Sequence, residues 1–180
     1  MSASGAANSA RTFEPAFDSD TVLTSVQLLD EMDEQMWGLL QRNLAGITEA
    51  EAEWRPHPQA NSVRWMVGHL AWFEEWAGDA LSESGRYLVD RDPTAYLDGT
   101  IPELIDRFAA ARAQYRTRLE ALDETALARQ LSYFGRYDVS VLGLLKTHTL
   151  HLAGHRFQIR YVRGAYSRAH GTRKADFDPW

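Results

Sequence analysis

The stretch VLGLLKTHTLHLAGHRFQIRYV, Val141 to Val162, carries three of the chain's six histidines, His148, His151 and His155. At a helical advance of about 100° per residue, His151 and His155 stand about 40° apart and His148 about 20° from His155, so the three share one face. Along that face the 3,4-spaced positions Val141, Leu144, His148, His151, His155, Gln158 and Val162 form a seam, and the imidazoles take its central positions. A helix with such a seam, predicted over 140–163, buries it against other helices.

Those partners are legible upstream. Val22, Val26, Leu29, Met32, Met36, Leu40 and Leu44 recur at spacings of three and four, which predicts a helix over 21–45 stopped by Gly46. Thr48 and Glu51 have capping-box spacing for a short turn ahead of WRPHPQA (54–60), where two prolines forbid a regular helix and His57 sits in a loop. Asn61 and Ser62 cap a second long helix over 61–83, with the stripe Val63, Met66, Leu70, Phe73, Ala77 and Leu81. Ser84 to Gly99 reads as a long crossover connection. Thr100 with Glu103 opens a third helix over 101–122, striped by Leu104, Phe108, Ala111, Tyr115 and Leu122. LSYFGRYDV, 131–139, predicts a two-stranded excursion around Gly135. Four helices with one apolar face each give an all-α four-helix bundle with a long crossover connection, over 21–164. Residues 1–20 read as a disordered leader that lacks the apolar run of a signal peptide, and 165–180 as a C-terminal tail.

Composition narrows the function. The 180 residues are 44% hydrophobic, enough for one sizeable core, and the formal net charge of −6 argues against a phosphate-tracking surface and hence against nucleic acid. No run approaches the roughly 20 apolar residues of a membrane span, and a cytoplasmic protein is expected. With no cysteine, any metal must take nitrogen and oxygen ligands.

On the second helix His69 lies beside the Met66, Leu70 and Phe73 stripe, so a fourth histidine faces inward. Burying imidazoles without partners costs roughly 1 to 3 kcal/mol for each unsatisfied group. A divalent ion offsets that cost, because an i, i+4 pair plus a third imidazole from a facing helix makes a three-nitrogen site with open positions. The plainer alternative is that the histidines bond to one another and to buried water. HLAGH (151–155) lacks the glutamate of H-E-x-x-H, which argues against a peptidase.

The segments NSVRWMVGHLAWFEEW (61–76) and HLAGHRFQIRYVRG (151–164), with the TEAEAEWRP lead at 48–56, resemble the DinB-like (DinB/YfiT) superfamily of metal-dependent proteins over about Thr21 to Gly164. The resemblance implies a bundle with a long crossover after the second helix and a divalent metal, zinc, nickel or iron, on His69, His151 and His155. Phe157 stands where the family usually has glycine after H-R. The resemblance also implies a small-molecule substrate, a low-molecular-weight thiol as co-substrate of a transferase or a related hydrolase, and a homodimer. Its rival is a non-catalytic bundle that binds metal or a small ligand.

His148 is open to three readings: a fourth ligand, a proton shuttle, or a donor behind the ligands, and the triad does not need it. Met66, Trp72 and Phe73, with Trp65 and Trp76, could wall a pocket over the metal, although at least two of these aromatics are expected in the core. Gly68 and Gly154 each precede a proposed ligand, and close helix approach would explain them. Arg156, Arg160 and Arg163 are assigned to a solvated face or to salt bridges. Glu74 and Glu75 lie about 140° and 240° round the helix from His69, so neither is placed as a ligand, and no general base is visible.

Overall fold

The structure, a computed structural model, describes residues 23–82 and 93–172. The leader over 1–20, positions 21 and 22 of the first expected helix, most of the crossover (83–92) and the end of the tail (173–180) lie outside the described residues. Four long helices dominate: α1 (Ser25–Leu44), then after the single-turn α2 (Glu49–Glu53) come α3 (Val63–Leu81), α4 (Ile101–Glu120) and α5 (Val141–Ala169). Helix α3 packs chiefly on α4, α1 on α5, and α5 also on α3. A 3-10 turn at Pro93–Leu97 lies against α3, and a second at Glu124–Ala128 leads into the hairpin of β1 (Gln130–Tyr133) and β2 (Tyr137–Ser140). The fold is the expected all-α bundle.

Local chemistry sets the helix starts. Thr48, Ser62 and Ser140 each accept a backbone N–H of the first turn, and Thr100 closes a reciprocal box with Glu103. Such caps are worth about 1 kcal/mol each. The first helix begins at Ser25, because Thr24 and Gln27 form a second reciprocal box there. The last helix runs to Ala169, beyond the 163 expected. Gly164 does not stop it, since the continuation is anchored: the Tyr166 ring meets Trp54 at 5.7 Å and Ser167 Oγ donates to the Thr172 carbonyl at 2.8 Å.

The apolar core has two parts. One gathers Leu40, Leu44, Met66, Leu70, Leu104, Phe108, Leu152 and Ile159; the other holds Val26, Phe73, Trp76, Tyr115, Leu119, Val141 and Leu144. Burying each large side chain contributes about 1.5 to 3 kcal/mol. The sequence seam of α5 needs correction: Gln158 is exposed and Ile159 buried, so the inward face runs through Leu145, Leu152 and Ile159, with His148 inside and His151 and His155 half-buried at its edge.

A polar layer crosses the bundle, with one member from each long helix. His148 is fully buried; its Nδ1 lies 2.9 Å from Asp33 Oδ1 on α1 and its Nε2 2.9 Å from Glu74 Oε2 on α3. Arg112 on α4 pairs with Asp33 and, at 2.7 Å, with Glu34. The stripe assigned to α1 is therefore off by one residue at its centre: Met32 is exposed, and Asp33 takes the buried position a heptad from both Val26 and Leu40.

Arg163 is another buried cation. Its Nε donates to Glu51 Oε1 at 2.6 Å and its guanidinium also reaches the carbonyls of Asn43 and Ala45, which ties α5 to α2 and to the end of α1. Of the two glycines before ligands, only Gly68 marks a close approach. A Cβ there would lie 2.7 Å from the Tyr96 carbonyl oxygen and 2.7 Å from Leu97 Cδ2, both in the 3-10 turn rather than in a helix, whereas nothing lies within 4 Å at Gly154.

Candidate metal centre

Helices α3 and α5 bring three imidazoles together. His69 sits in the middle of α3, and His151 and His155 stand one turn apart on α5. The Nε2 of His151 lies 2.9 Å from that of His69 and 3.1 Å from that of His155. A neutral imidazole nitrogen has either one N–H or one lone pair, so the central Nε2 cannot form two good hydrogen bonds at once. A cation at the point of convergence satisfies all three lone pairs. Two nitrogens each about 2.0 to 2.1 Å from one ion are about 2.9 to 3.4 Å apart as the angle between the bonds opens from a right angle to tetrahedral, and the observed spacings fit that span.

Electrostatics prepare the same ligation. Burial, with the neighbouring His155 and His69, pushes the His151 imidazole down to about 3. Burial and His69 push His155 down to about 4, and burial lowers His69. The rings are thus held in the unprotonated form that a metal requires. Competition by protons accordingly begins well below the 6.5 that an unperturbed histidine implies. The three nitrogens form the one group of potential metal-ligating side chains among the described residues, and no carboxylate joins them.

The other residues singled out in the sequence divide. His148 uses both ring nitrogens on Asp33 and Glu74, which leaves none for a metal or for passing a proton to the triad. Burial opposes its charge, but Glu74 and Asp33 outweigh that and push the imidazole up to about 9. For Asp33, burial acts upward, while the attraction of His148 and Arg112 prevails and lowers its carboxyl. Phe73 separates the layers, its ring 4.1 Å from that of His151 and 5.7 Å from that of His148. Met66 is part of the apolar core. Of Trp65, Trp72 and Trp76, only Trp76 is buried; Trp65 and Trp72 are half-buried and stack on His69 at 4.9 and 5.8 Å. His57 is exposed in its loop.

The sequence reading did not single out Asp33, Arg112 or Phe134, and it considered Glu74 only as a ligand. Polar positions interrupt the hydrophobic period, so a buried ion network is silent to that test. For Phe134 the neighbouring Gly135 was the available signal, since the pair forms a hairpin turn beside Trp72 and Trp76.

Comparison with known proteins agrees with this architecture. A conserved protein of Enterococcus faecalis superposes with a TM-score of 0.63 at 20% identity, covering 80% of this chain and 98% of the other. A DinB-like protein of Bacillus subtilis gives 0.64 at 14% identity, covering 84% and 98%. No curated protein sequence matches significantly. No helix among the described residues is long and apolar enough to cross a membrane. The sequence profile of the DinB superfamily matches residues 32–159, from within α1 to within α5 and including all three converging histidines, and the chain belongs to that superfamily.

Proposed function

We propose that the protein binds one divalent ion through His69, His151 and His155 and uses it as a metal-dependent enzyme on a small molecule, as a low-molecular-weight-thiol transferase or a related hydrolase. The observation that carries the reading is the convergence of three Nε2 atoms that cannot satisfy one another. A bound zinc, nickel or iron ion would supply Lewis acidity that activates a thiol, carbonyl or water. The chain's own contributions are neutral imidazoles, aromatic walls from Trp65, Trp72 and Phe73, and a ligand set of three that leaves coordination positions free. Half-exposure of all three histidines supports an accessible centre over the closed site of a non-catalytic metal-binding bundle.

The test is elemental analysis of protein purified without an affinity tag or chelator, followed by calorimetric titration with Zn²⁺, Ni²⁺ and Fe²⁺. One ion per chain is expected in the wild type and none in His151→Ala or His155→Ala, with His148→Gln retaining the wild-type stoichiometry. A wild type that takes up no ion would refute the reading.

We also infer a cytoplasmic homodimer that packs helices side by side. Leu150, Phe157 and Tyr161 support it: they are 72, 58 and 64% exposed and follow one another along α5 at spacings of seven and four. Sedimentation that finds only monomer at micromolar concentration would remove the dimer.

A further inference from the structure

Metal-binding histidines are usually oriented by a hydrogen bond to the ring nitrogen that does not face the ion. His69 lacks this support: among the described residues nothing bonds to its Nδ1, and its Nε2 meets only His151. Packing takes the place of the missing bond. Trp65, four residues earlier, stacks on the imidazole at 4.9 Å and 13°, and Trp72, three residues later, at 5.8 Å and 24°. Phe134 then lies flat on Trp72 at 5.5 Å and 6°, and on Trp76 at 3.9 Å and 21°.

Phe134 holds this place against its backbone preference. The hairpin turn is closed by Arg136 N–H donating to the Tyr133 carbonyl at 3.0 Å, and its central residues have φ of +52° at Phe134 and +66° at Gly135. Turns with two positive φ values favour Asn, Asp or Gly at the first position. A bulky aromatic is an outlier there, and no other non-glycine residue among those described has a positive φ. Such outliers persist where the surroundings hold them, often next to a functional site.

We propose that Phe134 is a positioning residue for the metal ligand His69: the hairpin turn presses its ring onto Trp72, and Trp72 with Trp65 fixes the imidazole plane so that Nε2 meets those of His151 and His155. This rests on the metal-binding reading of the triad. The hairpin, remote from His69 in sequence, is thereby part of the metal centre.

The experiment compares wild type with Phe134→Gly, Phe134→Leu and Phe134→Tyr by competitive Zn²⁺ titration and by thermal melts of the metal-free proteins. Glycine suits the turn but removes the ring, so the metal-free melt should stay within a few degrees of wild type while the dissociation constant rises about tenfold or more. Leucine retains apolar cover without a flat face and should weaken binding several-fold, which keeps the test decisive if the glycine variant melts early. Tyrosine keeps the ring and should stay within about twofold. Wild-type affinity in both the Gly and Leu variants would overturn the inference while leaving the metal reading intact. A loss in Tyr equal to that in Gly would also overturn it. Failure of the wild type to bind Zn²⁺, Ni²⁺ or Fe²⁺ would remove both.

Discussion

The buried imidazolium of His148 makes stability depend on pH in a range where few other groups titrate. Its folded-state value, about 9, exceeds the ordinary 6.5, so the folded chain holds a proton that the unfolded chain releases between those limits. The sign follows from linkage: the contribution is fully present below about 6.5, declines by about 1.4 kcal/mol for each pH unit above it, and is gone above about 9. The gap amounts to about 3 kcal/mol, a large share of the 5 to 15 kcal/mol typical of a domain. The groups facing His148 do not blur the window. Asp33 is held ionised, Arg112 is raised further by Glu74 and Asp33, and burial puts the Tyr115 phenol well above its usual range. The assay is urea unfolding followed by circular dichroism, in chelator, at half-unit steps from pH 6 to 9.5, for wild type and His148→Gln. At pH 6.5 the variant should be less stable by about 3 kcal/mol, and the difference should shrink toward zero near pH 9. Curves that run parallel across the window would show that His148 carries no proton in the folded state.

Acid should release the metal late: bound ion should persist at pH 5.5 and be lost as the pH falls toward about 4, because burial and mutual proximity keep His151 and His155 unprotonated until then, and a colorimetric chelator reports the release. Gly68→Ala should cost about 1 to 3 kcal/mol in chemical unfolding, since its Cβ would press on the Tyr96 carbonyl, whereas Gly154→Ala, in open space on a helix, should stabilise by about 0.5 to 1 kcal/mol. Arg163→Met should cost about 3 to 5 kcal/mol by leaving Glu51 without its buried partner, and Glu51→Gln in the same background should recover part of it.

The sequence announced the four long helices through local chemistry. Ser62, Thr100 and Ser140 act within one turn of themselves, so their roles do not depend on tertiary structure. The stripe of α3 was fully legible because the positions named on it, Val63, Met66, Leu70, Phe73, Ala77 and Leu81, are apolar and buried. Reading failed where a buried charge replaced an apolar residue. Asp33 occupies the heptad position between Val26 and Leu40, but periodicity prefers its exposed neighbour Met32, and only the distant partners Arg112 and His148 reveal why an acid lies inside. His148 shared the triad's face on the helical wheel, yet a separation of three residues along α5 places it among carboxylates instead of ligands. The hairpin was anticipated from Gly135, whereas the role of Phe134 depends on rings about sixty residues away in sequence.

The polar layer also has a consequence for the order of assembly. Each tightly packed helix pair carries one acid and one base: α3 with α4 holds Glu74 and Arg112, and α1 with α5 holds Asp33 and His148. Either half can therefore collapse without trapping net charge. The α3–α4 half joins segments near in sequence, so loop entropy favours its closing before α1 and α5, which come from opposite ends of the helical region. When the halves dock, each charge gains a partner from the other half while keeping its own, Arg112 meeting Asp33 and His148 meeting Glu74. A half that docks one helical turn out of register leaves those charges buried and unmatched, so the layer edits topology during folding as well as stabilising the finished bundle.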